Sequence, residues 1–155
     1  MSHKNKILNK KYSTNTSMLV IDAFVEYKDN GFLQDLILFE INHYMKNKSI
    51  VMSMDVFTLR ALAIALEKTI NGVSAKFKNH TESSGNTKTL TIGVSSSVVF
   101  INLDSFNKSL NSGTKVEHMF GFTGIESLVA DMYDICKFTN SELFKAQKMF
   151  YNKGN

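Results

Sequence analysis

The sequence predicts an α+β fold of two antiparallel β-sheets, built from a repeated strands-then-helix unit, with a further helix at the C-terminus. Three observations lead there. Short runs rich in β-branched and aromatic residues alternate in polarity with period two and are divided by turn residues. Two other segments carry apolar residues at i, i+3, i+4 and i+7, as a helix with one buried stripe does. Strand and helix patterns also recur at a fixed offset. At 155 residues, with 43% hydrophobic and 21% charged residues, the chain is long and apolar enough to bury a core. Proline is absent and no segment reads as a linker. Residues 18–155 are therefore expected to form one domain.

Met18 to Lys28 reads as a strand. Asp29-Asn30-Gly31 is a turn signal, and Phe32 to Tyr44 reads as the second arm of a hairpin. In that arm Ile37, Phe39 and Ile41 share one face and Leu36 and Leu38 the other. After a polar turn at 46–48, Ile50, Met52, Met54 and Val56 alternate with Val51, Ser53 and Asp55. A helix follows, with Leu59, Leu62, Ala63, Leu66 and Ile70 as its buried stripe, Asp55 or Ser53 as its N-cap, and Asn71-Gly72 as its end.

Val73, Ala75 and Phe77 then alternate with Ser74, Lys76 and Lys78. A polar loop at 79–87 leads to a strand through Leu90, Ile92 and Val94, and Val98 to Leu103 is the next. Asp104 to Thr114 reads as an irregular connection. Val116, His118, Phe120 and Phe122 form a last strand, followed by a helix buried through Ile125, Leu128, Val129, Met132, Ile135 and Cys136. Thr123 and Glu126 have the spacing of a capping box. A separate tail helix is expected at 140–152. The N-terminal residues 1–17, with Lys4, Lys6, Lys10 and Lys11 among Asn, Ser and Thr, read as a flexible basic arm.

A shift of 66 places Leu59, Leu62, Ala63, Leu66 and Ile70 on Ile125, Leu128, Val129, Met132 and Cys136. The same shift carries Ile50, Met52, Met54 and Val56 onto Val116, His118, Phe120 and Phe122. A strand of one phase thus feeds a helix of one phase twice, which suggests an internal repeat with halves at about 18–72 and 73–138.

Composition narrows the function. The net charge is +4 and the pI about 9.1, and nearly all the positive charge is lysine, with Arg60 the single arginine. Arginine reads base edges with a planar fork, whereas lysine contacts phosphate as a point charge. The balance suits backbone contact over sequence reading. No nucleotide-binding glycine loop occurs, His3, His43, His80 and His118 lack metal-ligand spacing, and the acidic residues are scattered. The expectation is a non-enzymatic protein with no metal and no cofactor. The lone Cys136 closes a helix stripe and reads as an inert core thiol. Without a disulfide, a secretion signal or a long apolar run, the sequence points to the cytoplasm or an organelle matrix, with no membrane partner.

The second half resembles the Whirly family of single-stranded DNA-binding proteins and the related transcriptional-coactivator fold. The resemblance rests on Lys88-Thr89-Leu90-Thr91-Ile92, on Val98 to Leu103, on a connection containing Asn107-Lys108-Ser109-Leu110, and on a strand at 114–122 running straight into a helix. It is strongest over 88–137 and extends to the rest by topology. The lysine-rich segment of plant Whirly proteins has no counterpart here. The resemblance implies two roughly four-stranded sheets with helices packed between or beneath them, subunits joined through helical faces as dimers or tetramers, and single strands lying across the sheet edges.

On that basis the expected partner is single-stranded nucleic acid, DNA in preference to RNA, in replication, recombination, repair or transcription. Bases stack on aromatic side chains while lysines neutralise phosphates. Tyr27, Lys28, Tyr44, Lys46, Lys48, Lys76, Lys78 and Lys88 sit at strand ends or on outward phases and are the candidate contacts. The alternative is a phage- or plasmid-type interaction module, an inhibitor or accessory factor that uses the same fold to bind a protein.

Overall fold

The computed structural model describes residues 3–153. Strands β1 (His3–Ser13), β2 (Ser17–Tyr27), β3 (Leu33–His43) and β4 (Lys48–Met54) lead into helix α1 (Val56–Thr69). Strands β5 (Ala75–Lys78), β6 (Asn86–Ser95), β7 (Val98–Asn107) and β8 (Ser112–Gly121) lead into helix α2 (Phe122–Lys153). The strands form two four-stranded antiparallel sheets in sequential order, sheet A from β1–β4 and sheet B from β5–β8. Each half is thus a strand meander followed by a helix.

The β2–β3 hairpin forms at the turn expected for it. Gly31 holds φ at 84°, a conformation open to glycine, and Lys28 bonds Phe32 across the turn (2.8 Å). Asp55 caps α1 by accepting the Thr58 amide (2.7 Å), an arrangement worth about 1 kcal/mol. Leu59, Leu62 and Leu66 are fully buried, each contributing roughly 2 kcal/mol. Inward residues of both sheets join them in one core with Ile125, Leu128, Met132 and Ile135 of α2. Strands β3 and β4 lie against β7 and β8, and α1 packs on α2.

Several expectations are corrected. Residues 3–13 are not a flexible arm but strand β1, paired with β2 from His3–Tyr27 to Ser13–Met18; Met1 and Ser2 lie outside the described residues. A bulge between Lys6 and Leu8 resets the phase, so Ile7, Leu8 and Tyr12 all pack on the core without a regular alternation. The connection at 104–114 is largely strand, since β7 and β8 stay paired as far as Asn107–Ser112 and turn through Asn111 at φ 48°.

The segment 140–152 is helical but continuous with α2. The buried Thr139 hydroxyl finds its partner within the helix, donating to the Ile135 carbonyl (2.6 Å), so Thr139 sits mid-helix with its hydroxyl satisfied. Helix α2 starts at Phe122, directly off β8, so Thr123 lies in its first turn and caps nothing. In α1, Thr69 is buried in place of the expected Ile70, its hydroxyl bonded to the Leu66 carbonyl (2.6 Å).

Side-chain hydrogen bonds tie the halves together, one buried and one part-buried pair among them. Ser17 Oγ and His118 Nδ1 are hydrogen-bonded at 2.7 Å, joining β2 to β8. His118 is wholly buried, and its Nε2 has no partner among the described residues. Burial lowers its pKa from 6.5 to about 4, so the ring is neutral at pH 7. The Tyr12 hydroxyl donates to Asp131 of α2 (2.7 Å), so Asp131 is an anchor for β1. Burial, then the bond and charge of Asp131, raise the Tyr12 pKa.

Candidate nucleic-acid interface

Pleating decides which side chains of sheet B face outward. Leu90, Ile92, Val99, Ile101, Leu103 and Val116 point into the core. Their neighbours point away and align in cross-strand rows. One row runs Lys76, Thr91, Asn102, Glu117, and the next Lys78, Thr89, Asp104, Lys115. Toward the β7–β8 turn, Thr87, Phe106 and Gly113 form a third.

The second and third rows floor an open groove of about 840 Å³ whose lining includes Lys76, Lys78, Lys108, Lys115 and Phe106. None of the four lysines forms an ion pair among the described residues, and Phe106 is 43% exposed. Charge with no internal partner is available to an external anion. Asp104 lies between the lysine-bearing strands and tempers the field without cancelling it.

The sequence-predicted residues fall into groups that the fold does not unite. Lys76 and Lys78 are exposed on β5 and belong to the groove. Lys88 does not. It shares a phase with Leu90 and Ile92, and its ammonium is held by Glu82 (3.2 Å) and the Val51 carbonyl (2.9 Å). The cleft beside it, about 760 Å³, is lined by Asp35, Asp55 and Glu82, a setting that disfavours phosphate.

Tyr44, Lys46 and Lys48 cluster at the β3–β4 turn. Lys48 lines a cleft with Ser105 and Thr114, which also border the groove, so it flanks the groove from sheet A. Tyr44 is half-exposed, with its hydroxyl 3.5 Å from Ser13 Oγ. Tyr27 and Lys28 lie at the opposite end of sheet A. Tyr27 is half-buried beside the His3 ring (5.9 Å), and Lys28 is paired with Glu26 (3.5 Å).

Sequence reasoning missed Lys108 and Phe106 because they fall in the stretch taken for an irregular connection, and Lys115 because it sits at the very start of the strand that follows. Carrying the β7 alternation three residues past Leu103 would have set Asp104 and Phe106 on the outward phase.

Other chemistries have little support at these positions. No cluster of His, Cys, Asp and Glu among the described residues could hold a metal ion. The Cys136 thiol is buried, its pKa raised chiefly by that burial, and its sulfur lies 3.6 Å from the Val56 carbonyl, as a packed core thiol would. No helix among the described residues is long and apolar enough to cross a membrane.

No family model and no curated protein matches the sequence. Solved structures do match the fold. WHY3 from Arabidopsis thaliana superposes with a TM-score of 0.64 at 16% identity, covering 92% of this chain and 97% of its own. The plant transcriptional regulator PBF-2 gives 0.64 at 13% identity, over 92% and 87%. WHY1 from Arabidopsis thaliana gives 0.60 at 15%, over 83% and 88%. The superpositions cover most of each chain, and the fold of this protein is that of the Whirly proteins.

Proposed function

We propose that this protein binds single-stranded nucleic acid, DNA in preference to RNA, without enzymatic activity, and that it works as an accessory to replication, recombination, repair or transcription. The observation that carries the reading is the groove on sheet B, where four lysines with no ion pair among the described residues surround a half-exposed phenylalanine. Lysines neutralise phosphates and release counterions, while an aromatic ring gives an unpaired base a face to stack on. The near-absence of arginine suits weak sequence preference. The Whirly-like fold, shared with a plant transcriptional regulator, supports the same reading.

Assembly as a dimer or tetramer through helical faces fits the exposed Phe57 and Ile64 of α1. A cytoplasmic or organelle-matrix setting fits the lone buried thiol. A second reading, an accessory or inhibitory module of the phage or plasmid type that grips a protein, is favoured by Phe144, Met149 and Tyr151, all more than half exposed on the C-terminal half of α2.

Titration of fluorescent single-stranded oligonucleotides, DNA and RNA, at two salt concentrations tests the proposal. Tight binding at low salt that weakens as salt rises supports it. No binding to any single strand at low salt ends it.

A further inference from the structure

Two glycines of sheet B, neither at a positive φ, leave space that a neighbouring ring occupies. A Cβ on Gly93 would lie 2.6 Å from Cζ of Phe100, and one on Gly113 would lie 3.0 Å from Cδ2 of Phe106. Each phenylalanine faces its glycine across a strand pair, Phe100 from β7 to β6 and Phe106 from β7 to β8. Each ring therefore leans over the neighbouring strand where a side chain would otherwise stand.

Both rings belong to the outward phase of β7. Phe106 is 43% exposed, Phe100 is half-buried, and Met119, directly opposite Phe100, is 49% exposed. Six residues of extended chain separate the two rings, about 20 Å at roughly 3.3 Å per residue. The lysines flank this line, Lys76 and Lys78 on β5 to one side, Lys115 on β8 and Lys108 in the turn to the other.

Resting on the single-strand reading above, we propose that Phe100 and Phe106 are two base-stacking platforms and that a single strand runs lengthwise along β7 between the two lysine rails. The occupant is set by charge and shape together. A flat π-face beside uncompensated lysines matches an anionic polymer with exposed bases, whereas a duplex hides its base faces. At the roughly 3.4 Å per nucleotide of a stacked strand, the 20 Å between rings spans at most about six nucleotides, and fewer when the strand is stretched.

The chain contains no tryptophan, so one substitution creates a clean optical reporter. Phe100→Trp, Phe106→Trp and, as a control on α2, Phe144→Trp are each titrated with an oligothymidylate of about twelve nucleotides, alongside anisotropy of a labelled strand. The expected result is quenching of Phe100→Trp and Phe106→Trp by half or more, with the same midpoint as the anisotropy, and no quenching of Phe144→Trp. Binding by anisotropy with neither sheet reporter quenched overturns the stacking path while leaving the single-strand reading intact. No anisotropy change for the unsubstituted protein overturns both.

Phe106→Leu supplies a readout independent of tryptophan. Loss of stacking weakens binding about 5- to 150-fold with the salt dependence unchanged. Unaltered affinity, or a loss that disappears at high salt, overturns the proposal.

Discussion

Replacing Lys76 and Lys78 together by glutamine tests whether the groove on sheet B carries the phosphate contacts. The groove offers four lysines with no ion pair among the described residues. Each phosphate neutralised on a single strand adds about −0.7 to the slope of log affinity against log salt, which gives a slope near −2.8 for all four. Affinity should then fall about 50-fold between 50 and 200 mM salt. The double variant halves the slope to about −1.4, so the same change in salt costs it only about sevenfold. At 50 mM it should bind about 60-fold more weakly than the unsubstituted chain, and at 200 mM about 10-fold. Anisotropy of a labelled oligothymidylate at several salt concentrations reads both quantities. Lys88→Gln serves as the control, since Lys88 is occupied by Glu82 and the Val51 carbonyl, and its slope should stay near −2.8. A double variant with an undiminished slope, or a Lys88 variant that loses as much, would refute the assignment.

Three further outcomes follow from the packing. His118 titrates near 4 in the folded chain and near 6.5 unfolded, so above pH 6.5 its contribution is fully present. Between those values only the unfolded chain takes up the proton, and stability falls by about 1.4 kcal/mol per pH unit, about 3 kcal/mol in all. Urea midpoints from pH 7 to 4 measure this, and the slope should flatten in His118→Phe; an equal slope in the variant would assign it to other groups. Tyr12→Phe removes the bond to Asp131 that fastens β1 to α2, at about 1.5 kcal/mol, and should speed amide exchange in β1 more than in β3. Gly93→Ala places a methyl group against the tip of the Phe100 ring, costing about 1 kcal/mol on thermal melting as the ring swings aside. A variant as stable as the parent would show that the ring does not rest there.

The physical reasons for success and failure in the sequence differ by element. Strands β2, β3 and β4, helix α1 and the first half of α2 were legible because one face of each is buried, and burial writes a period of two or 3.6 into the residues. Strand β1 was hidden because its bulge breaks the alternation and its outward face is lysine, so the segment looks like solvated chain. The tip of the β7–β8 hairpin projects beyond the core, and no apolar phase marks it, which concealed Phe106 and Lys115. Lys76 and Lys78 were legible as outward residues beside Ala75 and Phe77. Lys88 was misplaced although its phase, shared with Leu90 and Ile92, turned it inward. The choice among the lysines needed three dimensions, because it depends on which of them already have a partner. Glu82 and Glu26 take Lys88 and Lys28, whereas Lys76 and Lys78 have no ion pair among the described residues.

Photocrosslinking tests the central claim most directly, because it reports where a strand lies whatever the size of the assembly. A single-stranded oligonucleotide bearing 5-iodouracil is irradiated with the protein at low salt and the adducts are mapped by mass spectrometry. Attachment to the peptides that carry Phe100, Phe106 and Lys115 is the predicted result. Adducts confined to the C-terminal half of α2, or to the Tyr27 and Tyr44 ends of sheet A, would contradict it.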